Sequence, residues 1–565
     1  MSSVEHAVVT KTVLEVTRDL MRRRGMTTVF GNPGSTELAF LADYPDDFSY
    51  VLGLQEAVVV GMADGFALAS GRPTLVNLHT APGVGNAMGG IFNAQANKSP
   101  LVITAGQQAR ELMTVQANLT NRDAARMPHP LVKWSYEPPR AEDVPLALAR
   151  AAHLATLPPA GPVFVSIPMD DWGVAIDAEA AEHAIGRVVT GRATADPDVV
   201  RDLARRLADA RNPVFVAGPD IDASGAWDAA IALVEAAKVP VWAIPAPGGG
   251  RIGFPENHPA FQNILPPAIG PLAETLAGHD LILVVGASVF SYYPNIPGPL
   301  LPEGAALVLL TNDPDEAARA PMGDAIVADV KLTLEALNDA LPAVDREPPP
   351  QRPGPEAIGE DTASAAMATL AEVWPEDGIA VVEAPSATLA VRNQLRLSKP
   401  GSWYFGAGGG LGFGLAAAVG VQLAQRERPV VCVLGEGSAQ YAIQAFWSAA
   451  AYEVPITVLA VRNDEYSILK WFSMIEEIGG APGLHLPALD VPAVAEGYGV
   501  RSRRVERGDE LRSAQRDAIA SPTRPRARRP TTGPRTASPA AHPSPCAATC
   551  AACSATTACL PARAT

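Results

Sequence analysis

The segment Gly435-Glu436-Gly437-Ser438, with Asn463 lying 27 positions after Glu436, carries residue types that could hold a metal-bound diphosphate. It follows the apolar run VVCVLG and precedes AQYAIQAFWSAAAY, a pattern that predicts a strand, a glycine-flanked turn and a helix. Backbone N–H groups at such a turn, backed by the positive end of a helix, suit an anion of this kind. Glu436 stands at the mouth of that anion site, where a carboxylate is unfavourable unless a cation lies between it and the phosphate. Mg2+ does this with one or two protein oxygens and the phosphate oxygens. The next apolar run, ITVLAV, predicts a neighbouring strand ending at Arg462-Asn463-Asp464-Glu465, which offers Asn463 and then Glu465 as further oxygen ligands. An acidic residue after a glycine at a strand end is by itself an ordinary helix start. Loop, helix, strand and Asn together point to a metal.

Two other glycine-rich segments carry less chemistry. GVGNAMG (83–89) is spaced GxGxxxG, which is not a dinucleotide fingerprint, and lacks a clear acidic partner about 20 residues on. Gly83, Gly85 and Gly89 therefore read as positions of close packing. GAGGGLGFG (406–414) is denser in glycine than a turn requires, which predicts a cofactor close to the backbone.

The elements that must position these residues are legible as short Val/Ile/Leu runs bounded by Gly or Pro and separated by helical patterns. LVNLHT (75–80), LVITAG (101–106) and VFVSIP (163–168) read as buried strands of a first segment. PVFVAG (213–218), VPVWAIP (239–245) and LILVVGAS (281–288) belong to a second, and IAVVEA (379–384), VVCVLG (430–435) and ITVLAV (456–461) to a third. Such runs predict parallel sheets with crossover helices. Breaks at HAIGRVVTGRATADP (183–197) and the Pro-rich AVDREPPPQRPGPEA (343–357) separate the segments. The expectation is three consecutive parallel-sheet α/β domains over 1–182, 190–342 and 357–520.

The 565 residues are 48% hydrophobic and 18% charged, enough to bury several cores. A net charge of −16 argues against a nucleic-acid partner. No run of about 18 apolar residues predicts a membrane span. The first 25 residues read as an amphipathic helix, not a signal peptide, and a cytoplasmic enzyme is expected. Residues 521–565 differ: they are rich in Arg, Pro, Ala and Thr, with no Val, Ile, aromatic or acidic residue. This tail is expected to be disordered and dispensable for catalysis. Its Cys546, Cys550, Cys553 and Cys559 lack the paired knuckles of a zinc site, and read as neither metal ligands nor a disulfide framework.

At this point the chain resembles the thiamine-diphosphate-dependent enzymes, whose signature is GDG, about 25 residues, then Asn. A second match is VFGNPGSTELAFLADYP (29–45) followed by LQEAVVVGMADGFALASGRP (54–73), similar to the start of the family's pyrimidine-binding domain. VNLHTAPGVGNAMG, LVKWSYEPP and GGGLGFGLAAAVGVQLA are most similar to the benzoylformate decarboxylase branch. The resemblance implies pyrimidine-binding, middle and diphosphate-binding domains, and thiamine diphosphate with Mg2+ as cofactors. It implies non-oxidative decarboxylation of an aromatic 2-oxo acid, benzoylformate to benzaldehyde and CO2, through a thiamine diphosphate ylide and an enamine. Glu56 would be the cofactor-activating carboxylate, Ser35 would contact the substrate carboxylate, and His79 would handle protons. Ser386, Gly409, Leu411, Gly437 and Ser438 would hold the cofactor, with Leu411 as an apolar wedge. Leu119 and Phe472 would line an aryl pocket. A homodimer or homotetramer with shared sites is also implied. Read from the residues alone, Glu56 could equally be a helix N-terminal charge and His79 a structural histidine at a strand end.

Three departures from the family pattern stand out. Glu436 replaces the metal-binding Asp, so an extra methylene must be absorbed in a near-octahedral shell; if Glu436 is a strained ligand, Glu436→Asp tightens metal binding, and unchanged or weaker affinity means the local backbone has adapted to Glu. Tyr293 stands where the branch has a second histidine, and Ile468 where it has a small residue that leaves the pocket wider. Two other readings stay open: a carboligase similar to the acetolactate synthase large subunit, acting on pyruvate, and an inactive homologue. The middle segment carries no decisive flavin fingerprint, so FAD is not expected.

Overall fold

The computed structural model describes residues 10–245, 250–290, 292–352, 362–505 and 508–520. The tail 521–565 and part of the Pro-rich linker, 353–361, lie outside them. Within them the chain builds three parallel sheets. The first runs Ser49–Leu52, Thr28–Gly31, Thr74–Leu78, Leu101–Gln107, Val163–Pro168, Trp134–Tyr136 from edge to edge. The second runs Phe261–Ile264, Val241–Ala243, Pro213–Ala217, Leu281–Val285, Ala306–Thr311, Asp324–Val327. The third runs Trp403–Phe405, Ile379–Glu383, Val430–Gly435, Ile456–Val461. Central strands such as Leu101–Gln107 are buried along their whole length, as parallel strands covered by helices on both faces must be.

Helix Val13–Arg24 shows how local chemistry sets a boundary. Glu15 N–H donates to Thr12 Oγ1 (3.2 Å) and Thr12 N–H donates to Glu15 Oε2 (2.7 Å), a capping box, and Gly25 at φ 67° ends the helix. The amphipathic helix expected over the first 25 residues is therefore shorter: Thr10–Thr12 is a strand paired antiparallel with Ala175–Asp177, and residues 1–9 lie outside the described residues.

The helix expected after Ser438 is also different. Glu436–Ala439 is one short helix and Ala445–Ala451 another. Between them the amides of Gln440, Tyr441 and Ala442 bond three residues back. The Gln440 side chain takes the Glu436 carbonyl (3.1 Å), the acceptor an α-helical Gln440 amide would have used.

The first and third sheets are joined through two helices, Glu56–Ser70 and Gly414–Ala424. A Cβ at Gly61 would lie 2.8 Å from the Ala416 Cβ, and Gly65 and Gly420 press on the backbones of Ala417 and Met62. Of the three glycines read as packing positions, Gly83 meets His79 and Glu56 and Gly85 meets Met127. Gly89 has open space, so that expectation fails there.

Candidate active site

Glu56 opens helix Glu56–Ser70, but it does not cap it. Gln55 Oε1 accepts from the amides of Ala57 (2.6 Å) and Val58 (3.2 Å). The Glu56 carboxylate turns inward instead, 8% exposed, and accepts from Asn32 Nδ2 (3.2 Å) and Asn86 Nδ2 (3.1 Å). No ion pair reaches it among the described residues. A buried carboxylate with only neutral amide partners can share a proton with a ring nitrogen brought against it.

His79 is the residue before helix Thr80–Ala96 and makes no cap bond. Its Nδ1 lies 2.9 Å from Glu37 Oε2 and 3.2 Å from Thr36 Oγ1. Gly34 lies flat against the ring, where any Cβ would overlap it. Glu37 is 1% exposed, and its carboxylate also accepts from Gly34 N (2.7 Å), Gly106 N (2.9 Å) and Thr36 Oγ1 (2.7 Å). This carboxylate can only accept at Nδ1, so the contact favours the tautomer with Nδ1–H donating to Glu37 and leaves Nε2 free of it. Sequence reasoning missed Glu37. Its only signal is an acid buried in the short Ser35–Glu37 helix, and its partner Gly106 lies 69 residues away. Ser35, at the start of that turn, is exposed. The Leu119 carbonyl accepts from Thr80 Oγ1 (3.0 Å), which draws the 119 loop to His79. Beside them opens a cavity of about 600 Å³ lined by Ala81, Thr120, Asn121, Arg122 and Met127 among others.

A second group sits at the carboxyl ends of the third sheet. Gly435 pairs with Val461 in register, so Glu436 and Asn463 leave adjacent strands side by side. Glu436 Oε1 accepts from the amides of Asn463 (3.0 Å) and Asp464 (2.6 Å). The Asn463 side chain donates through Nδ2 to Ser467 Oγ (2.5 Å), and its Oδ1 accepts loosely from Glu465 N (3.3 Å). The Glu465 carboxylate is engaged by Lys470 and by Ser467 (2.8 Å), contacts that hold its carboxyl below the usual range. Gly437 and Ser438 are buried, and a Cβ at Gly437 would meet Tyr466 and Leu486 at 2.8 Å. The donors offered here are hard oxygens, and among the described residues no group of three His, Cys, Asp or Glu is placed to hold a metal ion by itself. Such a set fits Mg2+ whose shell is completed by phosphate oxygens.

The glycine-rich loop 406–414 lies next to this group. Ser386 follows strand Ile379–Glu383 and is exposed; Gly409 is exposed at φ 74°, and Leu411 is half-buried. Glu383, the last residue of that strand, was also missed. Its carboxylate accepts from the amides of Gly412 (2.6 Å), Phe413 (3.2 Å) and Gly414 (2.9 Å). Burial pushes its pKa up to about 7 against those hydrogen bonds. An acid closing an otherwise apolar strand was the available signal.

The pocket candidates divide. Tyr293 and Phe472 meet with ring centroids 4.6 Å apart and planes tilted by 43°, and Trp471 meets Phe472 edge-on at 5.0 Å. Ile468 lies on the same helix, Ser467–Ile475. No hydrogen bond, ion pair or ring contact among the described residues joins Leu119, or the Ser35–Glu56–His79 group, to this cluster or to Glu436 and Asn463.

Comparison with known proteins gives this layout a family. Residues 11–127 match the N-terminal TPP binding domain of thiamine pyrophosphate enzymes, 200–337 the central domain and 385–526 the C-terminal TPP binding domain. The chain is 50% identical over 515 residues to a benzoylformate decarboxylase of Pseudomonas aeruginosa, covering 90% of this chain and 97% of that protein. Among solved structures it is similar to the thiamine diphosphate-dependent 4-hydroxybenzoylformate decarboxylase of Rhodococcus jostii RHA1 (TM-score 0.88, 47% identity, 90% of this chain, 97% of that one). It is also similar to a benzoylformate decarboxylase of Polynucleobacter necessarius (TM-score 0.88, 43% identity, 91% and 97%). Three domain models matched in order and 50% identity over 90% of the chain make this chain a member of the thiamine pyrophosphate enzyme family.

Proposed function

We propose that the protein is a carboxy-lyase that converts an aromatic 2-oxo acid, benzoylformate, to its aldehyde and CO2 using thiamine diphosphate and Mg2+. The observation that carries the reading is the Glu56 carboxylate, buried, held by two side-chain amides and paired with no cation among the described residues. The cofactor supplies a carbon nucleophile and an electron sink for decarboxylation. Glu56 holds a proton at the pyrimidine ring, and Ser35 orients the substrate carboxylate. His79, its Nδ1 tied to Glu37, delivers or takes a proton at Nε2. Glu436 and Asn463, with Glu465 behind them, hold Mg2+; Gly437 and Ser438 receive the diphosphate; Ser386, Gly409 and Leu411 support the rest. Leu119, Tyr293, Ile468 and Phe472 form the wall for the aryl group.

The reading carries with it the division into domains at 1–182, 190–342 and 357–520, and a cytoplasmic homodimer or homotetramer. Among the described residues no hydrogen bond or ion pair joins the Glu56 group to the Glu436 group, and a second copy would complete the site between them. Reconstitution tests the proposal: protein stripped by EDTA and dialysis is expected to form benzaldehyde from benzoylformate only when both thiamine diphosphate and Mg2+ are returned. Equal rates without either would overturn it.

A further inference from the structure

Every glycine between 406 and 414 answers to a feature of the protein itself. Gly409 and Gly412 have φ of 74° and 104°, conformations that L side chains rarely adopt. A Cβ at Gly408 would stand 2.8 Å from Asn93 Oδ1, and one at Gly410 would crowd the same amide at 3.1 Å. A Cβ at Gly414 would lie 2.5 Å from the Glu383 Cβ, and one at Gly406 3.2 Å from Phe413. The glycine density therefore lets side chains reach the loop backbone.

Two of those side chains grip the loop on either side of Leu411. Asn93, 3% exposed, donates through Nδ2 to the Gly410 carbonyl (2.8 Å) and accepts the Gly410 amide at Oδ1 (3.1 Å), copying a backbone ladder. Glu383, 5% exposed, takes the amides of Gly412, Phe413 and Gly414. Asn97 adds a tether, accepting the Ala407 amide at 3.0 Å. Asn93 comes from helix Thr80–Ala96, the helix that begins at His79, so a residue outside the third sheet shapes this loop. Leu411 is the single large side chain between the two grips.

We propose that Asn93 and Glu383 are positioning residues for thiamine diphosphate binding, acting by fixing the backbone on both sides of Leu411. This rests on the reading of Leu411 as a cofactor support. An amide and a carboxylate committed to main-chain groups make no contact of their own with the ligand. Their effect passes through the side chain they hold.

Calorimetric titration of the full-length apoprotein with thiamine diphosphate at saturating Mg2+ tests this. Asn93→Ala is expected to raise the Kd at least tenfold, and Leu411→Ala to raise it comparably. The double variant is expected to stay within twofold of Leu411→Ala, because the Asn93 effect needs Leu411. Hydrogen exchange at the amides of 410–414 should quicken in Asn93→Ala. If that variant does not fold, Gly408→Ala, which pushes a methyl against Asn93 Oδ1, is expected to raise the Kd in the same direction. Asn93→Ala and Gly408→Ala variants that bind as tightly as the parent overturn the proposal. So does a double variant whose losses multiply, since that is what a merely structural role gives. Absence of binding by the parent protein would overturn the functional reading, and this inference with it.

Discussion

Glu436→Asp separates two accounts of the departure from Asp. If the longer side chain is a strained ligand, shortening it tightens metal binding. The geometry indicates the reverse. Glu436 Oε1 bridges to the amides of Asn463 (3.0 Å) and Asp464 (2.6 Å), so the extra methylene is used to span two strand ends. Removing one methylene draws the carboxylate back by about 1.5 Å, the length of one carbon–carbon bond. At that distance both amides cannot be held. Hydrogen bonds to a charged group contribute about 1.5–3 kcal/mol each. These bonds form without the metal, so losing one should lower the stability of the apoprotein by about that amount, and a carboxylate no longer held in place should bind Mg2+ more weakly than the parent does in the presence of thiamine diphosphate. Titration of Mg2+ into cofactor-saturated apoprotein measures the change, and the unfolding midpoint of the apoprotein should fall with it. Tighter Mg2+ binding with an unchanged midpoint would refute the argument and return Glu436 to the status of a strained ligand.

Glu56→Gln should leave the Kd for the cofactor within severalfold but slow exchange of the thiazolium C2 proton by orders of magnitude, followed by proton–deuterium exchange under quench; ordinary exchange would remove Glu56 from the mechanism. Glu37→Gln should lower kcat by about 10- to 100-fold with little change in KM, because the His79 tautomer is no longer imposed; a KM effect alone would assign Glu37 to substrate binding. Asp64, buried beside Ser99 and Asn97, has its pKa pushed up by burial to about 7. Between roughly pH 4 and 7 the folded protein keeps that proton and the unfolded chain releases it, so this residue's contribution to stability falls as pH rises through that window and is flat above it. Asp64→Asn should therefore gain stability relative to the parent on going from pH 4.5 to 7, by an amount on the order of 3 kcal/mol; parallel unfolding curves across that range would contradict it.

How much was readable in advance followed from burial. VVCVLG announced itself because a parallel strand inside an α/β layer needs apolar residues on both faces, and ITVLAV, though at the edge of its sheet and half-buried, is apolar but for Thr457; their register carries Glu436 to Asn463. Edge strands such as Ser49–Leu52 and Trp134–Tyr136 carry mixed faces and little periodicity, and went unnoticed. Asn93, Glu37 and Glu383 were hidden for another reason. Each serves backbone amides or carbonyls far along the chain, up to 317 residues away for Asn93, and backbone partners leave no mark in side-chain patterns. The glycines of 406–414 were visible as a cluster. Their cause, room for Asn93 and Glu383, became visible only with the fold.

Substrate choice tests the central claim most directly. Burying a phenyl ring rather than a methyl group against the proposed aryl wall favours the aromatic acid by about 2 kcal/mol or more, at least tenfold in specificity. Purified protein supplied with thiamine diphosphate and Mg2+ should be assayed for kcat/KM with benzoylformate and with pyruvate, with products identified. The expected result is benzaldehyde and CO2 from benzoylformate, with kcat/KM at least tenfold above that for pyruvate. Acetolactate from pyruvate with no benzaldehyde from benzoylformate would contradict the account.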